Sequence, residues 1–284
     1  MRWEFLRRSN NVEDRRGMPI SRPVVGGGIG VAILAVIVTL LGGDPTLILQ
    51  QSSPRSHSPY SSTQVTRSPT DSKRADFVSA VLADTEDTWK QIFRQMGKTY
   101  VDPKLVLFSG EVESACGFAR AAMGPFYCPR DQKVYIDLSF YQELKYRHKA
   151  PGDFAEAYVI AHEVGHHVQN LLGISRKVQT IQSQVSRVQA NQLSVRLELQ
   201  ADCFAGIWAN RAQKERQLLE PGDIEEALNA ASSIGDDRLQ KAAKGYVVPE
   251  SFTHGSSAQR VYWFKRGIQT GSLGQCNTFE AAKL

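Results

Sequence analysis

Two histidines stand four residues apart, His162 and His166, inside a stretch (153–173) that reads as one helix. Ala155, Tyr158, Val159, His162, His166 and Gln169 recur at three- and four-residue steps and so share a face. The imidazoles therefore continue an apolar stripe and point inward, where buried rings need partners. Helical i, i+4 spacing lets two ring nitrogens converge on one cation. Asp153 is placed to cap this helix and Gly173 to end it. Any fold this chain adopts has to deliver further ligands to that pair.

The full motif is His162-Glu163-Val164-Gly165-His166, an H-E-x-x-H. Glu163 falls beside the cation rather than on it, where a general base for a metal-activated water belongs. A catalytic zinc keeps three protein ligands and one open position. Glu198-Leu-Gln-Ala-Asp202 offers the third ligand. By itself a Glu and an Asp one helical turn apart make a solvated face. Here Ala201, Cys203, Phe204, Ala205, Ile207 and Trp208 surround them, so the segment reads as buried. Glu198 completes a His₂Glu site, and Asp202 is placed to fix the tautomer of a ligand histidine. Between the motifs, Val178, Ile181, Val185, Val188 and Val195 follow heptad-like steps, as in a packed helix or a helical hairpin arm. His167 lies off the ligand face, and both His167 and His148 read as surface or supporting residues. His254 and Arg260 are of the right type to hold an oxyanion, beside a helix capped by Ser256 or Ser257.

The N-terminal part carries a different signal. Residues 23–43 hold no charge, and 21 such residues suffice for a helix to cross a bilayer. Residues 1–22 carry six Arg against three acids, and the positive-inside rule assigns them to the cytoplasm as a basic tail. Residues 44–72 are rich in Ser and Pro and read as a stalk, His57 included. The remaining segment, 73–284, holds 26 basic and 24 acidic residues, which excludes an electrostatic nucleic-acid footprint. It reads as one α+β domain, mainly α, with a helix over 75–96 and short strands at 104–108 and 133–138. The 133–138 strand is the one expected to pair with an extended substrate. Residues 110–130 read as loop. Cysteines 116, 128, 203 and 276 all follow the apolar run, and an even count there suggests two disulfides. Three pairings are possible; the short Cys116–Cys128 loop is the natural local bridge, which leaves Cys203 with Cys276.

The segments H-E-V-G-H-H-V-Q-N-L-L-G (162–173), L-E-L-Q-A-D-C (197–203), G-P-F-Y-C-P (124–129) and V-Y-I-D-L-S-F (134–140) resemble the neutral zinc metallopeptidase family of bacterial single-pass membrane proteins. The E-x-x-x-D segment resembles the gluzincin peptidases more broadly. The resemblance implies a zincin-like domain following a transmembrane helix. It also implies Zn²⁺ on His162, His166 and Glu198, a peptide or protein substrate, a lipid bilayer as partner, and a catalytic domain on the periplasmic side. The competing reading from another class is a zinc-stabilised extracytoplasmic scaffold without turnover. A third, a cytoplasmic protein with reduced thiols, would place the domain inside.

Overall fold

Phe77, Val81, Leu82, Trp89, Ile92 and Phe93 form the buried face of helix α1 (Pro69–Gln95) in the computed structural model, which describes residues 1–18, 69–282 and 284. The helix begins inside the segment read as stalk, with Pro69 at its first position, where a missing N–H costs nothing. The expected span at 23–43 and His57 lie outside the described residues. Among the described residues no helix is long and apolar enough to cross a membrane.

A four-stranded sheet has the order β1 (Val12–Asp14), β2 (Lys104–Phe108), β6 (Lys133–Asp137), β5 (Phe126–Cys128). The first two pairings are parallel, and β5 runs antiparallel to β6. Strands β3 (Glu111–Ser114) and β4 (Gly117–Arg120) form a separate hairpin. The 110–130 stretch is therefore not simply loop. Its strands are three or four residues long, too short for alternation to emerge between the Gly and Pro residues. The expected role of 133–138 also changes: β6 has neighbours on both sides, and the sheet's free edge beside the helices is β5.

Residues 1–18 are not a separate tail. Met1–Met18 and Arg67–Leu284 make one compact unit, and Pro19–Thr66 is assigned to another. Trp3 is buried edge-on against Phe77, with ring centroids 5.3 Å apart. Arg7 meets Glu86 and Asp87, each at 2.8 Å, and Arg8 meets Asp76 at 2.6 Å. Arg16 pairs with Asp14, and Lys133 reaches Glu13. Arg7, Arg8 and Arg16, three of the basic residues that suggested a cytoplasmic flank, are thus ion-pair partners within the folded body, a use that charge counting cannot distinguish from a topology signal.

Helix α2 (Phe140–Tyr146) leads to the central helix α3 (Asp153–Leu171). Gly152 occupies the cap position, and Asp153 is the first helical residue, its carboxylate 2.9 Å from the Met1 ammonium. Gly173 follows the helix in the left-handed region, as expected. Helix α4 (Ile174–Gln182) folds back on α5 (Arg187–Arg216) as the anticipated hairpin arm, held by Gln182 donating to the Ala190 carbonyl and Ser194 Oγ. Helices α6 (Asp223–Ser233), α7 (Asp236–Lys244) and α8 (Ser257–Thr270) complete the body. Ser256 caps α8 through a reciprocal capping box with Gln259. Both disulfides, Cys116–Cys128 and Cys203–Cys276, are formed.

Two measurements check this architecture. Trp3→Ala should cost about 3 kcal/mol in urea unfolding, as for a buried aromatic, whereas a detached tail would give no change. Burial pushes the Glu156 carboxyl up to about 7 against the pull of Arg74. The folded state thus holds this proton to higher pH than the unfolded chain, so stability falls as pH rises from about 4.5 to about 7. Glu156→Gln should remove on the order of 2–3 kcal/mol of that fall, read as the difference between wild-type and variant pH–stability curves.

Candidate metal centre

The site is made by two helices that come nearly into backbone contact. A Cβ built on Gly165 would lie 3.0 Å from the Ala201 carbonyl oxygen and 3.1 Å from the Ala201 Cα. Gly165 sits between the two histidines and Ala201 between Glu198 and Asp202, so this one approach brings both motifs face to face. His162 Nε2 lies 3.1 Å from Glu198 Oε2, and His166 Nε2 lies 3.4 Å from Glu198 Oε1. One ligand atom from each of the three residues falls within 4.8 Å of the others.

The other ring nitrogens are occupied. His162 Nδ1 is 2.7 Å from Asp202 Oδ1, and His166 Nδ1 is 2.9 Å from Gln169 Oε1. Each Nδ1–H therefore donates to an oxygen, leaving both Nε2 lone pairs aimed at the Glu198 carboxylate. Lone pairs facing carboxylate oxygens at this range repel unless a proton or a metal cation lies between them, and two imidazoles with one carboxylate suit zinc as that cation. The donor set fits that ion.

Asp202 is fully buried and accepts four hydrogen bonds from three side chains. Tyr158 donates to its Oδ1 at 2.5 Å, and Arg260 grips both oxygens, at 2.8 and 2.9 Å. Burial would raise the Asp202 carboxyl, but Arg260 and His162 outweigh it and hold it down at about 2. Gln169 is fixed in turn by donating to the Leu197 carbonyl and to Gln200, and Gln200 donates to the Cys276 carbonyl. Helix α8 reaches Asp202 because Gly206 and Gly267 abut: a Cβ on Gly267 would fall 2.0 Å from the Cys203 carbonyl oxygen.

Arg260, expected to face a transition state, lines the cleft and is also gripped by Asp202. Its side chain is buried, its Nε and Nη2 serve Asp202 and Tyr158, and it acts on the site through Asp202. His254 keeps its imidazole half-exposed beside the cleft. Its loop is tied by Asp236, whose Oδ2 accepts the backbone N–H groups of Thr253, His254 and Gly255 at 2.8, 2.6 and 2.9 Å. Glu163 faces the same cleft, and burial raises its carboxyl. His148 is half-buried at the cleft wall. His167, read as surface or supporting, is wholly buried; it donates from Nε2 to the Val101 carbonyl and accepts the Tyr127 hydroxyl on Nδ1 at 3.0 Å. That contact ties β5 to α3, and burial lowers His167 to about 4. A second group of acids, Asp153, Asp223 and Glu226, lies near the Met1 ammonium, which contacts Asp153 and Asp223.

Tyr158 and Gln169 carried a signal in the sequence, since both share the helix face with the histidines. Asp236 carried none, because it acts across a loop on residues 17 to 19 positions away.

The whole arrangement floors a cleft of about 820 Å³. The family model described as "Putative neutral zinc metallopeptidase" matches residues 1–279, the N-terminal strand included. "Uncharacterized protein YpfJ" of Escherichia coli (strain K12) is 51% identical over 98% of this chain and 99% of its own length. "Uncharacterized protein Rv2575" of Mycobacterium tuberculosis is 42% identical, covering 86% of each chain. No solved structure matches.

The helix approach is directly testable. Gly165→Ala places its Cβ 3.0 Å from a backbone oxygen, closer than an ordinary contact, and should part the helices slightly and weaken zinc binding a few-fold. Gly165→Val adds two methyl groups where no room exists and should weaken zinc binding at least tenfold, as for lost support of a ligand, read by competition with a chromophoric chelator.

Proposed function

The chain belongs to the neutral zinc metallopeptidase family, and from that premise we propose that it is a zinc-dependent endopeptidase acting on extended peptide segments. The observation that carries this reading is the convergence of His162, His166 and Glu198 at the floor of an open cleft, with Glu163 alongside. A purely structural zinc site would be closed by a fourth protein ligand. Among the described residues, the group of metal-binding side chains here numbers three.

In this reading zinc, when bound, acidifies a water molecule and polarises the peptide carbonyl. Glu163 takes the proton from the attacking water and passes it to the leaving amine. His254, held in place by the Asp236 loop, donates to the oxygen of the tetrahedral intermediate. Asp202, Tyr158 and Arg260 keep the His162 ring in one tautomer and orientation, and Gln169 does the same for His166. Strand β5 lends its free edge to the substrate backbone, in place of β6. The two disulfides favour an oxidising compartment for the folded body, residues 1–18 included.

Glu163→Gln tests the proposal. It should lower peptide hydrolysis by 10²-fold or more while zinc content and thermal unfolding stay as in wild type. Equal cleavage of a peptide library by wild type and variant would leave a binding or scaffold role instead.

A further inference from the structure

The cleft lining is mixed. Phe140, Val159, Ile234 and Leu239 give it apolar surface, with Glu143, Arg147 and His148 beside Phe140. Asn170, in the last turn of α3, Arg130 and Arg176 add polar and basic groups. Asn170, one turn past His166, donates to the Tyr127 hydroxyl, which ties the end of β5 to that region. Arg130 follows three residues after Tyr127, and Arg176 opens the arm helix α4 six residues after Asn170; both line the cleft.

The carboxylates lining the cleft are accounted for. Glu163 and Glu198 belong to the metal centre, and Glu143 lies 3.7 Å from Arg147. Asp131, next to Arg130, does not line the cleft and accepts from Tyr135, Ala115 and Lys133. Arg130 makes one long contact, to the Ala115 carbonyl at 3.4 Å, and among the described residues Arg176 has no ion-pair partner. Two guanidinium groups thus line a peptide-sized cleft with no ion-pair partner among the described residues. A planar, permanently charged fork suits a carboxylate.

We propose that Arg130 and Arg176 select substrates carrying an acidic side chain. This rests on the peptide-cleft reading above and adds the substrate class to it. The pairs are partly solvated, so each contributes a few-fold, and the selection weakens as salt rises.

The experiment uses the full chain carrying Glu163→Gln, loaded with zinc, so that binding is read without turnover. Two fluorescein-labelled peptides share one neutral core; one carries Asp and Glu on both flanks and the other Lys at the same positions. At low salt the acidic peptide should bind about tenfold more tightly by fluorescence anisotropy. In the Arg130→Glu/Arg176→Glu background the preference should vanish or invert. Equal affinities in the parent chain, no binding of either peptide, or an acidic preference that survives the double substitution would each overturn the proposal. Wild-type hydrolysis of the same peptides is scored separately. Acid-selective binding with no cleavage by wild type would sink the peptidase reading and leave the selectivity standing.

Discussion

Glycine at position 165 is the constraint from which the site follows. With no side chain there, α3 and α5 approach until the Ala201 backbone nearly touches the turn between the two histidines. A carboxylate reaches only a few ångströms from its backbone, so Glu198 can bridge two imidazoles only if its helix lies this close. The same contact places Asp202 one turn further along, over the far side of the His162 ring. A second close approach, Gly206 against Gly267, then lets α8 bring Arg260 to Asp202. The metal centre is a by-product of three helices packed at backbone distance.

Such packing buries charge, and the buried groups are satisfied as a set. Asp202 would be costly in this interior on its own, yet it receives one tyrosine, one histidine and a two-pronged arginine. Removing any partner leaves a desolvated charge, so the network resists piecemeal change. Order passes outward by the same means: Gln169 and Gln200 link His166 to the carbonyl of Cys276, whose disulfide returns to α5 at Cys203.

Much of this was legible in the sequence because helical period is a strong signal. His162, Glu163, His166, Glu198 and Asp202 announced their geometry through four-residue spacing, and the structure brings them together. Arg260 was legible as a residue type but not as a partner. Spacing cannot reveal whether a guanidinium is already gripped by a buried acid. Asp236 was invisible because it works through backbone N–H groups that any residues would supply. Strands β1 and β5 are three residues each, shorter than the window in which alternation can be read. The pairing of the arginines at 7, 8 and 16 was not legible, because a pairing role inside a folded body and a topology signal beside a bilayer use the same charge.

The pairing of β1 with β2 has a consequence of parity. Met18 and Pro69 are two points on one body. A path that starts and finishes on the same bank crosses a river an even number of times, zero included. Val12 and Leu105, neighbours in one ladder, cannot sit on opposite banks.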